Sequence, residues 1–383
     1  MCGPRLVLVA GEASGDLLGA DLARALKQLQ PDVELAGMTG PNMAAAGVES
    51  WYDIEQLSVM GLTEVIRHLP RLVRLRRQLK RRTLDWPATA LVTIDAPDFN
   101  LGLARQVKAA GLPCIHYVSP SVWAWRAGRI PKIARSLDRL LTLFPFEPEL
   151  YAAHGLEASF VGHPLADELA AGPDPASARM LLDLGHATPV IALLPGSRDG
   201  ELKRHVELLG RTALRLRRSR PEAELLMLLT GERQRGLAAQ LLNGLDAQAD
   251  IRLLGGQTRA GLEAADVALA ASGTVTLEAF LLECPLVVFY RLAPASYHLA
   301  RSLQLLRSRH VALPNILSAR DLVPERLQQA ATPEQLAADA EAWLVDTERT
   351  SSYQQQARKW RQDLAFGASN QAARDILEVL QRG

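Results

Sequence analysis

The chain has 383 residues, 48% of them hydrophobic, and 43 Lys and Arg set against 42 Asp and Glu give a net charge of +1. This is enough apolar material for two cores of similar size, and the balanced charge argues against a general nucleic-acid binder. The three cysteines, Cys2, Cys114 and Cys284, have no paired spacing for metal or redox work and fit a reducing compartment.

The first strand-like run, Leu6–Ala10, is too short for a signal peptide and leads into Gly11-Glu-Ala-Ser-Gly-Asp16. Three residues separate the two glycines, so this is not G-x-G-x-x-G, and no G-x-x-x-x-G-K-[ST] occurs anywhere. Both a dinucleotide dehydrogenase and a P-loop nucleotidase are thereby disfavoured. Asp16 is well placed to cap a helix from Leu17.

Further strands are expected at Val33–Met38, Ala90–Ile94, Cys114–Val118 and Leu140–Leu143. Between the second and third lies a basic segment: residues 67 to 82 hold eight Lys or Arg and no acid, and removing those eight charges leaves the rest of the chain at −7. Leu62, Val65, Ile66, Leu69, Leu72, Val73 and Leu79 recur there at three- and four-residue spacing, with Arg74, Arg76 and Arg77 among them; Pro70 divides two helices or kinks one. Such a segment reads either as an amphipathic element lying on anionic lipid or as a surface helix packing its stripe on the core. No run approaches the length of a bilayer span.

A polar, proline-bearing stretch from Gly162 to Pro175 breaks the series and sets the expected domains at 1–165, 166–345 and 346–383. Strands resume at Val190–Leu194, Ala223–Leu229, Ile251–Leu254, Val267–Ala270 and Leu286–Tyr290, and beyond Pro324 the pattern turns wholly helical. After Val190–Leu194, the turn Pro195-Gly-Ser-Arg198 precedes a polar helix start. A helix beginning straight after a strand offers unpaired N–H groups and a positive dipole end to an anion. Ser197 adds a hydroxyl and Arg198 a charged fork suited to a diphosphate; an ordinary turn with a solvated arginine reads equally well. After Val267–Ala270, Ser272, Gly273 and Thr274 suit a second turn and cap. Glu278, four residues beyond Thr274, sits on the same helical face, placed either for ribose hydroxyls or as a solvated first-turn acid.

Strands alternating with helices imply an α/β fold with parallel sheets and right-handed crossovers. Ligands of such sheets bind beyond the carboxyl ends of the strands, where the unusual residues fall in both halves, so one cleft between two domains is expected. With no D-x-D pair or His/Cys cluster, neither a metal nor a cofactor is expected, and arginine with helix ends must meet phosphate charge. Two turns of this kind on one sheet favour a nucleotide diphosphate.

Gly11-Glu-Ala-Ser-Gly-Asp16, Gly40-Pro-Asn-Met43, Val59-Met-Gly61, Ile94-Asp-Ala-Pro-Asp-Phe-Asn100, His116-Tyr-Val-Ser-Pro-Ser-Val-Trp-Ala-Trp-Arg126, Phe160-Val-Gly-His163, Leu194-Pro-Gly-Ser-Arg198, Ala271-Ser-Gly-Thr274 with Leu277-Glu278, Tyr290-Arg291 and Leu313-Pro-Asn315 together closely resemble the lipid-A-disaccharide synthases, from about residue 6 to the C-terminus. Ala13 stands where the family often has threonine, a small departure. The resemblance implies a GT-B glycosyltransferase, two Rossmann-like domains facing a cleft. It implies the joining of UDP-2,3-diacylglucosamine to 2,3-diacylglucosamine 1-phosphate as a β-1′,6 disaccharide, with inversion and release of UDP. The site residues it implies are Asp98 as base with Asp95 as rival, Glu12 and Ser14 orienting acceptor or sugar, Asn100 and Ser197 at the substrates, Arg198 on the diphosphate, Ser272, Gly273 and Thr274 at the nucleotide, Glu278 on the ribose and Asn315 near uracil or sugar. Lipid substrates also favour the membrane-docking reading of the basic helix, and hence a peripheral place on the cytoplasmic face of the inner membrane. The C-terminal helices cross back onto the first domain or are exchanged in a homodimer; the sequence permits either. Trp123 and Trp125 read as wall packing, and His116 and His163 as structural. The competing readings are a UDP-N-acetylglucosamine 2-epimerase-like or other UDP-sugar GT-B enzyme, and a non-catalytic nucleotide-binding protein at a membrane surface.

Overall fold

A computed structural model describes residues 3–58, 65–123, 127–243, 250–292 and 310–382. The chain forms two compact units, Met1–Asp167 with Asp363–Gly383, and Glu168–Gln362.

The first unit is built on a seven-stranded sheet of order β3-β2-β1-β4-β5-β6-β7, every neighbouring pair parallel. Its strands are β1 Arg5–Ala10, β2 Glu34–Thr39, β3 Glu49–Asp53, β4 Ala90–Ile94, β5 Cys114–Tyr117, β6 Arg139–Thr142 and β7 Glu157–Phe160. The central strands β1, β4 and β5 are short apolar runs buried on both faces, as helix-covered parallel strands must be. The edge strands β3 and β7 lacked such a signal because each is half covered and polar. Helices α1 Ala13–Leu29, α2 Pro41–Ala45, α3 Glu55–Ser58, α4 Val65–Asp85, α5 Pro97–Lys108, α6 Ile130–Ala134, α7 Glu147–Ala152 and α8 Pro164–Glu168 connect them. Helix α1 begins before the expected position, so Asp16 lies inside it. Its buried carboxylate instead accepts the N–H groups of Gly40, Asn42 and Met43 at 2.8, 2.9 and 3.0 Å, capping α2 from across the fold.

The second unit holds a six-stranded parallel sheet of order β10-β9-β8-β11-β12-β13: β8 Val190–Leu194, β9 Glu224–Leu229, β10 Ile251–Gly255, β11 Val267–Ala271, β12 Leu286–Tyr290 and β13 Glu325–Leu327. Strand β13 corrects the expectation of a wholly helical pattern after Pro324. It is three residues of mixed burial at the sheet edge, too short and too polar to announce itself. Helices α9 Pro175–Leu181, α10 Asp199–Ser219, α11 Glu232–Leu242, α12 Thr258–Ala264, α13 Val275–Leu281, α14 Leu313–Ser318, α15 Pro333–Val345 and α16 Thr347–Leu364 complete it. The last helix, α17 Ala368–Arg382, belongs to the first unit. There Asp167 accepts the N–H groups of Gly367 and Ala368 at 2.9 and 2.6 Å, and Arg139 lies 3.3 Å from Asp375.

Each strand order reverses once, between β1 and β4 in the first unit and between β8 and β11 in the second. At such a switch point the loops leaving neighbouring strands part in opposite directions and open a crevice beyond the carboxyl ends. The loops there are those at Gly11, Asp95, Pro195 and Ser272.

Candidate active site

In the first unit the switch point is under backbone strain. Asp95 and Ala96 follow β4 with φ of 52° and 43°, and Val118 follows β5 with φ of 80°, a left-handed conformation that non-glycine residues rarely adopt. The turn at Asp95 is held by Asn100, fully buried in α5, whose Nδ2 donates to the carbonyls of Val9, Ile94 and Asp95 at 3.3, 3.1 and 2.8 Å. Gly11 makes room for it: a Cβ there would lie 2.2 Å from that of Ala96. Asn100, expected at the substrate, thus has its amide nitrogen committed to the backbone, while its buried Oδ1 has no partner among the described residues.

The two aspartates differ. Asp95 is half-buried and its Oδ2 accepts a bond from Ser14 Oγ at 3.2 Å, so the structure brings these two candidates together. Asp98, in the first turn of α5, has a side chain 84% exposed, and Arg129 Nη2 meets its Oδ1 at 2.5 Å. Its main-chain carbonyl accepts a bond from Arg76 Nη2 at 3.2 Å. Glu12 is exposed at the start of α1 and makes no cap bond. Beside these, Glu147 is buried and accepts bonds from Trp123 Nε1 at 3.2 Å and from the N–H groups of Leu143 and Phe144 at 3.1 and 3.0 Å. Burial lifts its carboxyl to about 7 against those bonds. Trp123 packs edge-on against Phe144 and Phe146, as wall rather than stacking platform. His116 and His163 are both lowered to about 4 by burial. Trp125 lies outside the described residues.

Helix α4 runs through Pro70 without dividing. Leu75 and Leu79 are buried in the first unit's core and Leu72 packs against it, while Val73, Arg74 and Arg77 are exposed. The expectation that Leu72 and Arg76 face lipid is thus corrected: core packing takes the leucine, and α5 takes the arginine. Leu62, with the side chains of Val65, Ile66 and Leu69, lies outside the described residues.

In the second unit the turn after β8 is organised by a residue the sequence reading left out. Gly196, at φ 105°, wraps the loop round Glu201, and a Cβ there would lie 2.5 Å from Glu201 Oε2. That oxygen accepts the N–H groups of Ser197 and Arg198 at 3.1 and 3.2 Å, and Tyr290 donates its hydroxyl to Oε1 at 3.0 Å. Burial pushes the Glu201 carboxyl up, but these bonds win and hold it below the ordinary range. The expectation that these loop amides stand open to an anion is therefore corrected. Ser197 is exposed, and the Arg198 side chain is 82% exposed and 3.3 Å from Glu201 at one nitrogen. His205, kept neutral by burial, bonds the Pro195 carbonyl through Nδ1 at 2.7 Å and accepts the Arg291 N–H through Nε2 at 3.2 Å.

After β11, Gly273 and Thr274 are exposed, with open space where a Gly273 side chain would be; Ser272 Oγ donates to the Val311 carbonyl at 3.3 Å. Glu278 is 22% exposed, 4.0 Å from Arg259, and burial raises its carboxyl above the ordinary range. Asn315 is a further correction. It is 1% exposed, its Oδ1 accepts the N–H groups of Leu322 and Val323 at 2.8 Å each, and its Nδ2 donates to Val323 and Glu325, so no part of its amide is left for a ligand. Among the described residues, no cluster of His, Cys, Asp and Glu could hold a metal ion.

The model of the lipid-A-disaccharide synthetase family matches residues 6–379. The chain belongs to that family. It is 47% identical over 375 residues to the lipid-A-disaccharide synthase of Alkalilimnicola ehrlichii, covering 97% of this chain and 98% of that one. Its identity to the Xylella fastidiosa (strain M12) enzyme of the same name is 43%, with 99% of both chains covered. As a member of the lipid-A-disaccharide synthetase family the chain is a glycosyltransferase with two Rossmann-like units. The fold is shared more widely: a putative UDP-N-acetylglucosamine 2-epimerase from Listeria monocytogenes superposes with a TM-score of 0.65 at 13% identity, over 98% of this chain and 95% of that one. That likeness concerns architecture alone, since one fold hosts many chemistries. Glu201 carried a legible signal in this synthetase chain, lying three residues after Arg198 as the partner in a capping box does. Arg129 carried none, and the motif at Tyr290 and the basic run at Arg76 did not say which partners they meet, because only the folded chain brings them together.

Proposed function

We propose that this glycosyltransferase joins UDP-2,3-diacylglucosamine to 2,3-diacylglucosamine 1-phosphate, giving the β-1′,6 disaccharide 1-phosphate and UDP with inversion at the transferred carbon. The acceptor's 6-hydroxyl oxygen attacks the sugar carbon as the bond to the UDP phosphate breaks, and the hydroxyl proton passes to a carboxylate. The observation that carries the choice of carboxylate is the exposure of Asp98 beside a strained, buttressed turn. Each carboxylate has one oxygen engaged, Asp95 Oδ2 by Ser14 and Asp98 Oδ1 by Arg129, so exposure decides: Asp95 is half-buried, whereas Asp98 stands open to an acceptor, oriented by Arg129 while Oδ2 takes the proton. Arg198 meets the charge gathering on the leaving UDP, Ser197, Gly273 and Thr274 line its phosphates, and Glu278 accepts from the ribose hydroxyls. Glu12 and Ser14 orient the acceptor.

No described helix is long and apolar enough to cross a membrane. We place the lipid contact at a bilayer surface on the cytoplasmic face of the inner membrane, through the exposed Val73, Arg74 and Arg77 of α4. The test is incubation of the protein with both lipid sugars and analysis for disaccharide and UDP. Asp98→Asn is expected to bind UDP as the parent does and to lose nearly all turnover. Near-parental turnover removes Asp98 from the role, and UDP binding without product in the parent favours a binding protein.

A further inference from the structure

Arg76 sits in the middle of the basic run, yet three observations separate it from its exposed neighbours Arg74 and Arg77. Its Nη2 donates to the main-chain carbonyl of Asp98 at 3.2 Å. Its guanidinium carbon lies 5.1 Å from the centroid of the Phe99 ring, on the residue after Asp98. Its seat on α5 exists because residue 102 is glycine: a Cβ there would stand 2.7 Å from that guanidinium carbon. The neighbouring leucines explain how the arginine is delivered, since Leu75 and Leu79 are buried in the core and fix the rotation of α4.

We infer that Arg76 is a positioning residue for the reaction's base: it clamps the first turn of α5 through the Asp98 carbonyl and the Phe99 ring, and so fixes the direction in which the Asp98 carboxylate leaves the helix. This rests on the reading of Asp98 as the base. The basic helix then has two duties. Arg74 and Arg77 face outward for lipid, while Arg76 faces inward and holds the catalytic turn. An arginine suits the second duty because its planar group can stack on a ring and donate at its edge at once, which an ammonium group cannot.

The experiment uses the full-length protein in detergent micelles. It compares the parent with Arg76→Met, Arg76→Lys, Gly102→Ala, the surface control Arg211→Met and the reference Asp98→Asn, reading kcat, the KM of each substrate and UDP affinity. Arg76→Met and Gly102→Ala are expected to lower kcat by about 10- to 100-fold, the range for a base displaced by a fraction of an ångström to one ångström. Donor KM and UDP affinity stay within about twofold of the parent's, Arg76→Lys recovers part of the loss, and Arg211→Met, exposed on α10 and paired with Glu207, leaves all parameters unchanged. Gly102→Ala keeps the arginine and perturbs only its seat, so a fold lost in Arg76→Met does not shield the idea. If Asp98→Asn is inactive while Arg76→Met and Gly102→Ala keep parental kcat, the inference is overturned and the base assignment stands. If UDP affinity falls in step with kcat, the role is general structure and the inference is likewise overturned. If Asp98→Asn stays active, the base assignment fails first, and the inference with it.

Discussion

Asn100→Ala separates the stability of the first unit from its chemistry. The buried Asn100 amide nitrogen shares its two N–H groups among the carbonyls of Val9, Ile94 and Asp95, and at about 1–1.5 kcal/mol net for each N–H, its removal costs about 2–3 kcal/mol. Against this stands the strain in the turn it holds. Asp95 and Ala96 are both left-handed, at about 1–3 kcal/mol each, and part of that is recovered when the clamp is gone and the turn relaxes. The expected net loss is therefore about 1–3 kcal/mol, a modest fraction of the roughly 5–15 kcal/mol that keeps a domain folded. Turnover should fall by much more than this suggests, at least tenfold, because the relaxed turn carries Asp98 away with it. Because a chain of two units need not unfold in one step, the measurement is native-state hydrogen exchange of the β1 and β4 amides, beside disaccharide formation at saturating substrate. The companion Ala96→Gly removes strain and keeps the clamp, and should hold turnover within a few-fold of the parent. A folded Asn100→Ala protein with parental turnover would refute the argument.

Arg198→Ala should lower kcat/KM for the donor by about 10- to 100-fold, with much of the loss in kcat, the worth of a charge-assisted pair to phosphate at roughly 1.5–3 kcal/mol; unchanged donor kinetics would remove Arg198 from the diphosphate. Glu147 gives a pH dependence. Burial raises its folded-state carboxyl from 4.5 to about 7, so its contribution to stability is complete below pH 4.5 and is lost as pH rises through 7, at a cost of about 3 kcal/mol. Thermal unfolding of Glu147→Gln against the parent between pH 4.5 and 8 should show a gap that grows with pH in favour of the variant, and a gap independent of pH would contradict the burial argument.

The fold was legible where strands are central. Val190–Leu194 and Ala90–Ile94 appear at the expected residues because a strand covered on both faces needs an unbroken apolar run. Strands β3, β7 and β13 were not, since an edge strand buries little and may be polar. For the site, the sequence identified the loops but not the partners inside them. Asn100 and Asn315 sit in conspicuous motifs and were assigned to ligands, yet Asn100 spends its amide nitrogen, and Asn315 its whole amide, on neighbours in the fold. A motif marks where structure is demanding, and a buried amide bracing a strained turn is as demanding as one that touches substrate. Arg129 and Arg76 reach Asp98 from 31 and 22 residues away, distances at which no local pattern operates.

The two units handle charge in opposite ways, and the difference bears on catalysis. In the first, strained backbone and buried polar side chains hold one carboxylate in the open. In the second, Glu201 accepts two amides of the turn, those of Ser197 and Arg198, and Arg198 is the exposed positive group beside them. A cradle of free amides with an arginine would hold the donor and the released UDP alike, and binding shared by ground state and product does not speed the step between. A single guanidinium in water interacts weakly, because the dielectric around it is high. In the proposed reaction, a guanidinium covered by substrate and freed of water would strengthen its hold as charge moves onto the departing phosphate, which is when stabilisation lowers a barrier.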